Sequence, residues 1–211
     1  MTNKLNIVKL SKRIGNRQIY KDLSLSLENG CYAFTGENGI GKTILLQLVA
    51  GVTKMDEGNI HLDDIGDCDS LEYKKSLTYV PSVPIFYPSV KGIDILKFIS
   101  CLKNANIELN SELNIFIEDS GLGKYLNTPF MNMSLGTQKK LFLATVFIGE
   151  NKLIVLDEPD NGLDDNSLTL LSDYILKISN SKIVLVVSHN NRFVEKINPE
   201  ILNLKYNVED S

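Results

Sequence analysis

The chain has 211 residues, enough for one domain with a sizeable core and too few for two comfortable ones. Hydrophobic residues at 43% and charged ones at 23% are ordinary for a globular protein. A net charge of −4, with Lys and Arg scattered in no basic block, argues against a nucleic-acid partner. Apolar runs stay strand-sized, as in Ile183 to Val187, and the first residues carry neither an apolar leader core nor transit-peptide character.

In chain order, Leu5 to Leu10 and the alternating run Leu23 to Glu28 predict strands of a β-rich layer, with Glu28-Asn29-Gly30 as the turn beyond. Cys31 to Thr35 is a short apolar run that predicts a buried strand, and Ile44 to Gly51 predicts a helix ended by Gly51. Glu57-Gly58-Asn59 reads as a turn before a short strand at Ile60 to Leu62, and Leu77 to Val80 as a strand stopped by Pro81. From Ser89 to about Lys124 the period turns helical, which predicts a small helical insertion, bounded at about 85–132. Ser134 to Gly149 predicts one long helix capped by Ser134. Strand, helix, strand and a short helix from about Asn191 then follow. That order implies a parallel sheet covered by helices, so the class is α/β. Cys31, Cys68 and Cys101 lie far apart with no C-x-x-C and read as reduced, structural thiols of a cytosolic protein.

Between the strand at Cys31 and the helix at Ile44 stands GENGIGKT: Gly36, Glu37, Asn38, Gly39, Ile40, Gly41, Lys42 and Thr43. The string satisfies G-x-x-x-x-G-K-[ST] in the strand–loop–helix context that the chemistry requires. Such a loop is a nest of backbone N–H groups for phosphate oxygens. Lys42 would bridge the terminal phosphates of a nucleoside triphosphate, and the Thr43 hydroxyl would ligate Mg²⁺. Lys152 to Pro159 is an apolar strand ending in two carboxylates, Asp157 and Glu158, at the edge where α/β sheets bind ligands. Asp157 there suits a Mg²⁺ shell, and Glu158 the orientation of an attacking water.

With these elements in this order the chain resembles the ATP-binding-cassette (ABC) ATPases over nearly its whole length, as one such domain across 1–211. Met133 to Ala144 is similar to the family's signature segment, with Ser134 and Gly136 on its serine and second glycine. Gly162-Leu163-Asp164 is similar to its D-loop, and His189, about thirty residues beyond the carboxylates, to its switch histidine. The resemblance implies a P-loop core of mostly parallel sheet, an N-terminal antiparallel layer and a helical subdomain. It further implies MgATP hydrolysis with Glu158, His189 and Lys42 as the catalytic groups. Two copies would sandwich two ATP molecules, each between one copy's P-loop and the other's Ser134 and Gly136.

Three positions depart from the family pattern. Ser82 stands where a Mg²⁺-sensing glutamine is usual, and its hydroxyl reaches less far. Ile14 stands at the usual aromatic position beneath the adenine, leaving an aliphatic side chain or Arg13 to cover the base. Leu135 and Thr137 replace the signature's first glycine and glutamine. The resemblance implies a cytoplasmic subunit held on the inner membrane face by a permease on a separate chain, docked near Phe86, Tyr87 and Phe98. The abbreviated form and the S-x-G-T signature look most like the small exporter ATPases of bacterial peptide-antibiotic resistance, immunity or secretion systems. The rival expectations are a soluble ABC ATPase of cytosolic assembly machinery and a regulatory nucleotide-binding module that turns over poorly.

Overall fold

Residues 2–108 and 110–204 are described in a computed structural model of the chain. Strands β1 (Lys4–Ile14) and β2 (Arg17–Glu28) form a long antiparallel hairpin, paired from Lys4 with Glu28 to Ile14 with Arg17. Leu5, Ile7, Leu10, Tyr20 and Leu27 are its buried apolar side chains, and they place one face of the hairpin on the core. Strands β4 (Glu57–Leu62) and β5 (Gly66–Asp67) complete this sheet in the order β2-β1-β4-β5. The turn expected at Glu57-Gly58-Asn59 is displaced toward the preceding residues. Those three belong to β4, because Glu57 pairs with Ser11 and Asn59 with Val8.

The second sheet takes β3 (Gly30–Thr35), β6 (Leu77–Val80), β7 (Leu153–Asp157), β8 (Ile183–Val187) and β9 (Glu200–Asn203) in the order β6-β7-β8-β3-β9, every pair parallel. All residues of β7 and β8 are buried. Along them Ile154, Leu156, Val184 and Val186 face one core, while Leu153, Val155, Ile183 and Leu185 face the other. A continuous apolar run is what a strand covered on both faces requires. Parallel pairing also brings the C-terminal ends of β3, β7 and β8 to one edge, and with them the P-loop, the acidic pair and His189.

Helix α1 (Lys42–Val49) covers the face shared with the antiparallel sheet; α2 (Leu71–Lys75) leads into β6. The other face carries α3 (Gly92–Leu102), α4 (Ser111–Asp119), α5 (Leu135–Ala144), α6 (Asp165–Ile178) and α7 (Asn191–Ile197). Phe116, Phe147 and Tyr174 stack in a row there, with ring centroids 5.0 and 4.2 Å apart.

The helix expected to run to Gly149 ends at Ala144 and tightens into a 3-10 turn at Thr145–Phe147. Side chains take up the carbonyls that this tightening frees. Thr145 Oγ1 donates to Phe142 O at 2.6 Å, Asn110 Nδ2 to Phe147 O, and Asn151 Nδ2 to Val146 O and Ile148 O. Two short elements carried no clear pattern: α2, and β9, whose mostly exposed residues extend the parallel sheet beside β3. Cys31 and Cys68 are buried, as structural thiols should be, but Cys101 is exposed on α3 and plays no part in the core.

Candidate active site

Gly41 precedes α1 with φ 114°, a conformation that L side chains rarely adopt, and a Cβ there would lie 2.6 Å from Ile19 Cγ2. The β1–β2 hairpin therefore sits directly on the P-loop. Lys42 is buried, and its ammonium donates to Gly36 O at 2.7 Å and Glu37 O at 3.1 Å, folded back across the loop it would share with a phosphate. Gly36, Glu37, Asn38 and Gly39 are exposed, whereas Ile40 is buried as the loop's apolar anchor.

Asp157 is fully buried at the end of β7, where burial holds its carboxyl above the usual carboxylate range; the hydroxyls of Thr43 and Ser82 oppose that shift. Thr43 Oγ1 donates to Asp157 Oδ1 at 3.1 Å, while Oδ2 is buried with no hydrogen-bond partner. An orphaned buried carboxylate oxygen beside two hydroxyls is a hard-oxygen set that fits Mg²⁺, which needs one or two carboxylates plus substrate phosphates. No cluster of three or more His, Cys, Asp or Glu that could hold a metal occurs among the described residues. Asp157→Asn should thus stabilise the nucleotide-free protein by about 1 kcal/mol, since a neutral amide replaces an uncompensated buried charge. The same variant should lose the Mg²⁺ dependence of nucleotide binding. Thermal unfolding with and without MgATP reads both; a lower melting temperature together with an intact Mg²⁺ response would refute the assignment.

Glu158 follows with φ 46°, an uncommon conformation for a side-chain-bearing residue and one found where a site holds its backbone under constraint. Its N–H donates to Val187 O at 2.7 Å, which ties the turn to the end of β8. Its carboxylate accepts from Asn161 Nδ2 and stands 3.7 Å from His189 Nε2. Asn38, Lys42, Thr43, Glu158 and His189 line one cleft of about 250 Å³. The geometry thus gathers P-loop N–H donors, the Lys42 ammonium, the Thr43 hydroxyl and a carboxylate beside a histidine.

Ser134 and Gly136 lie elsewhere. Ser134 Oγ caps α5 by accepting from Thr137 N at 3.2 Å, and Gly136 packs so closely on Gly162 that a Cβ would stand 2.4 Å from Gly162 O. Lys140 bonds Asp164 and helps hold its carboxyl at a pKa of about 2. These groups line a separate cavity of about 590 Å³ that shares no residue with the P-loop cleft. Ile14 is exposed at the hairpin tip, outside that cleft. Arg13, the alternative cover for the base, turns its guanidinium toward Asn16 O. The hairpin side chain nearest Gly39 is Arg17, 4.0 Å from where a Cβ there would stand. Nothing in a strand pattern reveals that Arg17 faces a neighbouring loop.

This combination of fold and cleft defines a P-loop ATPase. Residues 20–161 match the profile of the ABC transporter family, and the chain belongs to it, carrying that family's nucleotide-binding ATPase domain. It is 30% identical over 200 residues to an uncharacterised ABC transporter ATP-binding protein, YdbJ, of Bacillus subtilis (strain 168), covering 92% of this chain and 63% of that protein. It is 29% identical over 192 residues to the cytochrome c biogenesis ATP-binding export protein CcmA of Reclinomonas americana, covering 89% and 86%. A 34% match to ABC transporter A family member 4 of Dictyostelium discoideum covers 83% of this chain and 11% of that protein. The chain therefore spans less than two thirds of several relatives. Among solved structures, an ATP-binding subunit of an ABC transporter superposes with TM-score 0.85 at 20% identity, covering 95% of this chain and 85% of that one. The ATP-binding cassette MJ0796, in a dimeric post-hydrolysis state with ADP and Pi, superposes with TM-score 0.79 at 19% identity, covering 95% and 94%. At those identities the likeness is one of fold.

Proposed function

We propose that the chain is the ATP-hydrolysing subunit of an ABC transporter, working as a dimer that closes around MgATP and drives a permease on another chain. The observation that carries this is the split of the site: the P-loop cleft and the capped α5 N-terminus lie apart in one chain. Both offer N–H groups to phosphate, and a second copy would bring them together. In that reading Lys42 exchanges the loop carbonyls for β- and γ-phosphate oxygens. Glu158 orients and polarises the attacking water, and His189 contacts the γ-phosphate and steadies Glu158. Thr43, Asp157 and Ser82 would hold Mg²⁺, which would supply charge neutralisation at the phosphates.

Permease docking is supported by exposed apolar side chains about the helical subdomain. Phe86 packs edge-on against Tyr87 and Phe98 at centroid distances of 5.7 and 6.3 Å, and Val83, Ile85, Tyr87 and Phe98 are exposed. A groove of about 270 Å³ nearby is lined by Leu71, Leu77, Ile99 and Leu102 with Lys74 and Lys75, suited to an amphipathic segment bearing acidic groups. No helix of the described residues is long and apolar enough to cross a membrane. A bacterial exporter of peptides or antibiotics, peripheral on the inner membrane face, fits this arrangement. Tagged chain purified from detergent-solubilised membranes should carry a multi-span protein that raises its ATPase rate. Recovery with a cytosolic assembly complex instead would favour the soluble-ATPase reading.

Ile14 leaves the adenine without an aromatic platform, so GTP should compete with ATP unusually well. Ile14→Tyr should tighten ATP binding by about 1 kcal/mol, the scale of an aromatic stack. Calorimetry tests this; strong ATP preference in the unmodified protein, with no gain from tyrosine, would remove Ile14 from the base site.

A further inference from the structure

Lys139 on α5 has no exposed surface, an uncommon state for a lysine. Its ammonium donates to Pro81 O at 2.9 Å and to Ser82 O at 2.8 Å. These carbonyls lie just past β6, beyond Val80 paired with Leu156, where the strand ladder no longer provides a donor. Burial disfavours the charged amine, and the fields of Asp157, Glu158 and Asp160 act against that penalty. An apolar side chain of similar volume would avoid the desolvation cost but leave both carbonyls without this donor, so the position calls for a long side chain that can reach them.

What the cation does follows from its neighbours. Ser134 caps the same helix five residues earlier, at the surface read above as closing on the partner copy's nucleotide. On the far side, Val80 pairs with Leu156, which sets Ser82 beside the C-terminal end of β7 and Asp157, whose carboxylate accepts from Thr43. One continuous path therefore joins the α5 cap to the buried carboxylate through Lys139 and the Pro81–Ser82 backbone. We propose that Lys139 is a positioning residue. It holds this backbone close enough for the short serine side chain to serve the metal side of the site, and it carries movements of α5 to Asp157. The inference rests on the nucleotide-site reading above and adds a coupling element to it.

The test compares Lys139→Gln, which keeps N–H donors and loses the charge, with Lys139→Met, which loses both. The difference between them reads the hydrogen bonds at constant charge. We expect Lys139→Met to need about tenfold more Mg²⁺ than Lys139→Gln for half-maximal binding of a fluorescent ATP analogue, and to turn over about thirtyfold more slowly. Affinity for the analogue without Mg²⁺ should agree within about twofold between the two, because the P-loop is untouched. Equal Mg²⁺ midpoints in the two variants would overturn the proposal. Ser82→Ala, at a partly exposed residue, supplies a second test should Lys139→Met fail to fold by circular dichroism. Its Mg²⁺ midpoint should rise as well, and an unchanged midpoint overturns the proposal equally. Absence of any Mg²⁺ effect in the unmodified chain would instead sink the nucleotide-site reading and this one with it, so the two failures are distinguishable.

Discussion

Replacing Glu158 with glutamine should slow ATP hydrolysis by about a thousandfold while leaving MgATP bound, because the amide keeps the shape and loses the carboxylate proposed to polarise the attacking water. The substitution is conservative at this position. Glutamine can accept from Asn161 through its amide oxygen, and the φ of 46° is held by the Glu158 N–H bond to Val187 O, which does not involve the side chain. Lost activity would therefore report chemistry rather than a rearranged turn. With hydrolysis blocked, the ATP-bound dimer should accumulate, visible as a doubled mass in sedimentation with MgATP and not with MgADP. His189, exposed and 3.7 Å from Glu158, is free to follow a bound γ-phosphate, so His189→Ala should fall between the mutant and the unmodified rate. Hydrolysis at the unmodified rate in purified Glu158→Gln protein would exclude Glu158 as the base.

An equally large effect is expected from mixing two inactive variants. Lys42→Ala removes the cation from a site otherwise built of neutral N–H donors, and should weaken ATP binding itself. Ser134→Arg places a bulky cation at the α5 N-terminus against the helix dipole, and should bind ATP normally as a monomer yet fail to dimerise. It also removes the cap on Thr137 N, a loss of about 1 kcal/mol, so its fold is checked by circular dichroism. A milder Ser134 variant that still dimerises, such as Ser134→Ala, serves for the mixture. Combined with Lys42→Ala, it should restore part of the activity, since the heterodimer contains one composite site with neither substitution. Specific activity of the unmodified chain should rise with concentration in the dilute range. Activity flat on dilution, with dead mixtures, would leave Ser134 as a helix cap and nothing more.

The P-loop, the acidic pair and the class of fold were legible in the residues because each depends on local chemistry. A glycine loop between a buried strand and a helix N-terminus has one well-defined use. Four unbroken apolar residues, Leu153 to Leu156, followed by Asp157 and Glu158 announce a parallel strand covered on both faces. Ser134 was legible as a cap because its hydroxyl serves an N–H three residues away. Elements that depend on distant partners were not. The α5 helix stops at Ala144 because Asn110 and Asn151, remote in sequence or beyond the turn, take the carbonyls that follow, and β9 is a strand because β3 offers it an open edge. Arg17 approaches the P-loop only through the fold of the hairpin, and the partnerless Asp157 oxygen exists only once β7 is buried. Lys139 and Lys140 are adjacent in the chain, yet Lys140 reaches Asp164 near the surface while Lys139 is wholly enclosed. Local propensity sets which backbone forms, but burial and the distant carbonyls it brings within 3 Å decide what a buried charge is for.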